Sequence, residues 1–376
     1  MSRAARLALL REGARLSELD GIRGVAILLV LTLHWIVYPT QPLLQQWLPR
    51  LWALANLSWC GVDLFFVLSG FLIAGILLDH RDAPNLFRTF YARRACRILP
   101  AYLLLLLAAT LPIAGEPQIT QGQVPLAAYL LFLQNFWTAA GAQVALALGP
   151  CWSLAIEEQF YLGLPVLLLR VLRGRFASFA AVMLIAPPLL RCLCLASGRW
   201  SAWDFTPCRI DAPFWGVLAA VAVRDRRAAA FLDHHRTKVR WAAAAGLLAV
   251  AGLSQVVLLP GGTNLLLSLG LSLIDCAFAI ALVSVLFSSD SAEARALRWK
   301  PLCWVGKHSY FLYLFHGLVF VALPIAQFPL RVTAAACALA ALAAISWRSL
   351  EQPFLRLGAT ARYGAAAAPA AATPPA

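Results

Sequence analysis

Gly21-Ile22-Arg23-Gly24-Val25-Ala26-Ile27-Leu28-Leu29-Val30-Leu31-Thr32-Leu33-His34 places ionisable residues inside a run otherwise built for lipid, and the run continues to Pro39. At ~100° per residue, the eleven steps from Arg23 to His34 return to within ~20° of one helix face, with ~16 Å of rise between them. A basic group and a titratable group therefore share a face at two depths. Charge within a spanning helix is costly, so it normally faces a cavity or pathway and serves a function. The stretch reads as the first helix of an integral-membrane enzyme.

Composition agrees. The chain is 61% hydrophobic and only 13% charged, with mean hydropathy +0.76, whereas soluble domains run at roughly 45–50% apolar and 25% charged. A soluble fold is excluded. The formal net charge of +14 does not call for nucleic acid, because the basic residues sit between apolar segments, where positive-inside anchoring accounts for them. Nine cysteines form neither a spaced CxxC pair nor a Cys/His cluster, so neither a disulfide framework nor a metal site is expected. No cleavable signal peptide is visible; residues 1–18 read as a basic lead-in at the cytoplasmic surface. Residues 358–376, Ala/Pro-rich from Gly364, read as a disordered tail.

Spanning runs fall at about 21–39, 59–78, 98–115, 154–172, 176–197, 208–223, 241–259, 265–287, 303–323 and 330–347, each near the ~20 residues a crossing needs. One more apolar stretch, 124–140, is short and interrupted by Gln134-Asn135. Loop charge decides how to count it. Arg81, Arg88, Arg93, Arg94 and Arg97 put one connection inside, as do Arg224, Arg226, Arg227, Arg236, Lys238 and Arg240, and then Arg295, Arg298 and Lys300. All fall on the cytoplasmic side only if 124–140 dips into the membrane and returns on the outer side. The expected fold is an all-α polytopic helix bundle with ten crossings, one re-entrant segment and both termini cytoplasmic. Re-entrant backbone must line protein or a wet cavity, so the odd segment itself points to a nearby site.

With that topology His34, Asp63, Glu157, Glu158, Arg209, Asp211 and His316 converge in the outer half, while Arg94 and Arg97 cluster at the inner face. Each has a bland reading. His316 alone reads as a packed hydrogen-bonding residue, Arg23 as a topogenic anchor, and Arg94 and Arg97 as positive-inside residues. Asp63 and Asp211 suit helix N-caps, and Tyr310 and Tyr313 suit an aromatic belt. Glu157 and Glu158 are ~100° apart on a helix, so only one can face a cavity. The group resists the bland reading, since several intramembrane ions at matching depth rarely serve packing alone.

Leu19-Asp20-Gly21-Ile22-Arg23-Gly24-Val25-Ala26 through His34 resembles the opening motif of the acyltransferase family 3 membrane proteins. So do GVDLFFVLSGFLI (61–73), Arg94-x-x-Arg97 running into Ile98-Leu99-Pro100-Ala101-Tyr102, WSLAIEEQFYL (152–162), VGKHSYFLYLFH (305–316) and Glu351-Gln352-Pro353-Phe354. Each is weak alone; their order over residues 17–354 is specific. The resemblance makes 19–357 an acyltransferase-type transmembrane domain of the bacterial inner membrane. It implies transfer of an acyl group, often acetyl, from cytoplasmic acyl-CoA as co-substrate to a hydroxyl of an envelope carbohydrate or glycolipid. No permanently bound cofactor is implied. Some members carry a further hydrolase-like domain; this sequence shows none, so a sole membrane-embedded transfer step is expected.

The residues suit that chemistry. Acyl transfer needs a general base for the acceptor hydroxyl and donors for the developing oxyanion. His34 can serve as base near neutral pH, and Glu157 or Glu158 could orient it as the third member of a triad does. Arg23, Arg94 and Arg97 suit the phosphates of CoA, because guanidinium forks match phosphate oxygens. Asp63, Ser69, Trp152, Ser153, Arg209, Asp211, Ser309, Tyr310, Tyr313 and His316 complete the expected cavity. Direct transfer and a covalent acyl-enzyme both stay open. The competing reading is a secondary transporter or polysaccharide-export protein, but the internal repeat such proteins often carry is not found.

Overall fold

The computed structural model describes residues 16–113, 116–117, 122–171 and 175–364. The lead-in before Leu16 and the tail after Gly364 lie outside these residues.

Helix dominates, and strand is confined, among the described residues, to the two-residue pair Pro112–Ile113 and Glu116–Pro117. The helices are α1 (Ser17–Trp47) and α2 (Pro49–Asp79), α3 (Leu86–Ala109), α4 (Leu126–Leu130), α5 (Gln134–Ala139) and α6 (Cys151–Val171). After them come α7 (Phe176–Ser197), α8 (Thr206–Arg209), α9 (Asp211–Arg224), α10 (Arg226–His234) and α11 (Arg236–Leu258) and α12 (Gly262–Phe287). The last are α13 (Ala292–Leu297), α14 (Lys300–Lys307), α15 (Ser309–Ala322) and α16 (Phe328–Thr360). Six of them, α1, α2, α7, α11, α12 and α16, are long and apolar enough to cross a membrane. Even α7, with 22 residues, is about 33 Å long at 1.5 Å per residue, against a hydrocarbon core of ~30 Å. Leu162, Leu193, Trp241, Leu248 and Leu273 stay exposed on the bundle, as side chains facing lipid would.

One departure from the sequence reading and one detail it does not specify matter for function. The helix expected at 98–115 begins at Leu86, so Arg93, Arg94 and Arg97 ride on α3 rather than on a loop. The stretch 124–140 is not one helix but α4 and α5, of five and six residues, or about 7.5 and 9 Å each. Phe132 between them has φ 54°, a left-handed conformation that is uncommon for a bulky residue. Its carbonyl accepts from Gln159 Nε2 at 2.7 Å. Gln134 donates to the Cys151 carbonyl at 2.7 Å, and Asn135 to Thr206 Oγ1 at 2.7 Å. The two amides that interrupt the apolar run are what tie this irregular backbone into the protein, as burial of polar groups requires. At the chain's end, α16 extends into the stretch read as tail, and Gly364 N donates to Asn85 Oδ1 at 2.7 Å.

Close helix approach depends on glycine at two crossings. A Cβ on Gly216 of α9 would collide with the Val67 carbonyl of α2, and one on Gly70 with the Pro213 carbonyl. On the other side, a Cβ on Gly306 of α14 would strike the Asp20 carbonyl of α1. Small residues let membrane helices approach to backbone contact. These crossings flank the cavity described next.

Candidate active site

A cavity of about 110 Å³ lies among α1, α2, α3, α6 and α15, lined by Arg23, Ser69, Arg94, Arg97, Ser153, Glu157, Tyr161, Ser309, Tyr310 and Tyr313 with apolar neighbours. Local periodicity explains the lining. Arg94 and Arg97 are three apart on α3, and Glu157 and Tyr161 four apart on α6, so each pair shares a helix face. Glu157 lines the cavity and Glu158 does not, as their 100° separation requires. Ser69 and Tyr161 hydroxyls bond to each other. The Tyr313 hydroxyl contacts Ser153 Oγ at 2.6 Å and donates to the Pro150 carbonyl at 3.0 Å, and Tyr310 donates to the Ile98 carbonyl at 2.8 Å. Arg23 pairs with Asp20 at 3.1 Å. Arg94 and Arg97 form no ion pair within 4.0 Å among the described residues.

His34 stands outside that lining. A π-helical turn, Leu33–Val37, interrupts α1 at this residue, and such turns are frequent at functional positions. His34 Nδ1 donates to the Val30 carbonyl at 2.9 Å. Its ring meets Tyr38 at 5.4 Å and His316 at 4.8 Å between centroids. The expected bond from Glu157 or Glu158 to His34 is absent. The glutamates face α2 and α3, whereas the π turn sets His34 against α15. Trp35 Nε1 donates to the His316 carbonyl at 3.3 Å and fixes that contact.

Asp63, Arg209 and Asp211 are placed differently from the expected cavity. Arg209 Nη2 donates to Asp63 Oδ1 at 2.6 Å, and Arg191 grips both oxygens of Asp211 at 3.0 and 3.1 Å. Arg191 also donates to the Ser268 and Cys208 carbonyls at 2.9 and 2.6 Å. All four side chains are buried. Trp203 stacks 4.9 Å from the Arg209 guanidinium, and Trp152 lies 6.0 Å away. Asp275 of α12 is buried in the field of the same ions. The cluster is a buried lock among α2, α7, α8, α9 and α12, and neither Trp152 nor these ions line the cavity.

The family model described as an acyltransferase domain matches residues 16–349. The chain belongs to acyltransferase family 3. It is similar to the O-acetyltransferase OatA of Staphylococcus aureus strain NCTC 8325 / PS 47, with 28% identity over 364 residues, covering 91% of this chain and 58% of OatA. A protein of S. aureus strain COL, provisionally named an O-acetyltransferase, shares 29% over 369 residues, covering 90% of this chain and 57% of its own length. The chain thus spans less than two-thirds of the length of these relatives. No solved structure matches it.

Two residues near the cavity, Tyr161 and Glu351, fall within the quoted motifs but are not singled out as site residues by the sequence. Tyr161 stands one turn after Glu157 on the face that lines the cavity, so the same i, i+4 spacing could have found it. Glu351, which opens the quoted Glu351-Gln352-Pro353-Phe354 motif, is buried in another π turn, Trp347–Glu351, within the field of Arg97. Its closeness to Arg97 comes from the packing of distant helices. No cluster of His, Cys, Asp and Glu suited to a metal is present among the described residues.

Proposed function

We propose that this acyltransferase is a ten-crossing protein of a bacterial inner membrane that moves an acyl group, acetyl in the simplest case, from cytoplasmic acyl-CoA to a hydroxyl of an envelope carbohydrate or glycolipid. The observation that carries the reading is a pair of guanidinium groups, Arg94 and Arg97, that share a cavity lining with the Glu157 carboxylate but are held in no ion pair within 4.0 Å among the described residues. Two cations facing one carboxylate leave net positive charge in the cavity; a phosphorylated ligand supplies further anionic oxygens, and the fork geometry of Arg suits them. Arg23 adds a third cation at the same cavity. Ser69, Tyr161 and Glu157 then line the route along which the pantetheine arm carries its thioester to His34. His34 holds its Nδ1 proton on Val30, so its Nε2 is the acceptor for the hydroxyl proton. A cytoplasmic donor thereby acylates an acceptor presented from outside without crossing the bilayer. OatA, by its name an O-acetyltransferase, supports acetyl as the group moved.

Radiolabelled acetyl-CoA given to membranes containing the protein should place label in envelope glycan or glycolipid. His34→Ala should insert normally and lower the rate by about 10²–10⁴-fold, the usual worth of a general base. No label with the wild-type protein refutes acetyl transfer, and more than about a tenth of the wild-type rate in the variant refutes the base.

The orientation proposed here, with both termini cytoplasmic and 124–140 re-entrant from outside, has its own test. In an active Cys-less background, Arg199→Cys should react with an impermeant thiol reagent from outside, and Arg227→Cys only after the membrane is opened. Labelling of the second site in sealed cells contradicts it.

A further inference from the structure

We propose that His316 is a proton-relay residue that takes the proton captured by His34 and returns it to the departing CoA sulfur. The inference rests on the acyl-transfer reading and goes beyond it. Neither His34 nor His316, expected in the cavity from the sequence, lines the donor cavity, whereas Tyr313 does. His316 stands between His34 and Tyr313, 4.8 Å from the first ring and 5.9 Å from the second, centroid to centroid.

The hydrogen bonds define which atoms are available. His34 Nδ1 donates to the Val30 carbonyl, and His316 Nδ1 donates to the Tyr313 carbonyl at 2.6 Å. A carbonyl only accepts, so each neutral ring carries its proton on Nδ1 and leaves Nε2 as a bare base. His316 is wholly buried, and its Nε2 has no hydrogen-bond partner among the described residues. A buried acceptor left unpaired is expensive and calls for an explanation. Packing does not supply one, because an apolar residue would fill the same space at lower cost. The titratable groups facing the two rings are Tyr38, Tyr313 and the rings themselves. Neither ring is hydrogen-bonded to a carboxylate or a guanidinium among the described residues. Among the described residues, a proton on His34 therefore has His316 as the basic ring to which it can pass.

The step balances. The acceptor O–H bond breaks as its oxygen forms the new bond to the acyl carbon, and the proton goes to His34 Nε2. The carbon–sulfur bond then breaks, with its electron pair staying on sulfur. His34 hands its proton to His316 Nε2, and His316 returns it to the thiolate once the thioester has been carried to the paired rings. Both rings end neutral, and the products are the ester and free CoA thiol.

The test compares His316→Gln, His34→Gln and the double variant at matched membrane abundance. His316→Gln should lower kcat by about 10²-fold or more, with KM for acetyl-CoA changed by less than about twofold, because donor binding lies elsewhere. The double variant should fall no more than about threefold below the slower single variant, since residues acting as a unit are non-additive. A His316→Gln enzyme that keeps more than about a tenth of kcat, or losses that multiply in the double variant, overturns the relay. If His316→Gln fails to accumulate, His316→Asn is read by the same criteria. An active His34→Gln enzyme refutes the base assigned to His34, and inactive His34→Gln beside active His316→Gln refutes the relay alone.

Discussion

Two groups of arginines lie within the helix bundle, and they differ in what faces them. Arg191 and Arg209 meet Asp211 and Asp63 at 3.0 and 2.6 Å, are sealed from solvent, and join α2, α7, α8 and α9, with Asp275 of α12 beside them. Arg94 and Arg97 line a cavity of about 110 Å³ and meet no carboxylate within 4.0 Å among the described residues. The first group is paired internally, although Asp63 Oδ2, Arg209 Nε and Nη1 and both Asp275 carboxylate oxygens have no hydrogen-bond partner among the described residues. The second leaves positive charge directed into space that a ligand can enter. Intramembrane charge alone therefore does not mark a site; charge that lines open space and is not locked into a close ion pair does.

The contrast predicts opposite phenotypes. Arg191→Ala leaves Asp211 buried without its partner, and breaking such a pair costs about 3–5 kcal/mol. The expected result is a large loss of folded protein, read by detergent-solubilised thermal unfolding, with any surviving fraction binding acyl-CoA as the wild type does. If Arg191→Ala instead folds normally and loses donor affinity, the lock belongs to the ligand site and the division between the two regions fails.

The sequence separates these regions only in part, for physical reasons. Apolar runs mark where helices lie, so the long helices fall close to the expected spans. The Gln134-Asn135 interruption marks 124–140 as irregular because buried amides need fixed partners. Helix phase distinguishes Glu157 from Glu158. Partner choice across the bundle is another matter. Arg209 and Arg94 look alike in the chain, and only the packing of α2 against α9 brings Asp63 to one of them. The π turn at Leu33–Val37 is equally silent, since Trp35, Ile36 and Val37 suit an ordinary helix. Yet that turn sets His34 against His316 rather than Glu157.

A smaller effect, but the most direct test of the donor site, is equilibrium binding of acetyl-CoA to the purified full chain and to the Arg94→Ala/Arg97→Ala double variant. The account predicts at least about a tenfold rise in Kd for the variant, or about 1.4 kcal/mol, with an unchanged unfolding midpoint. It also predicts that Lys at both positions restores only part of the affinity, because the bidentate fork is lost. Equal affinity in wild type and double variant would contradict it and leave the two arginines as positive-inside anchors.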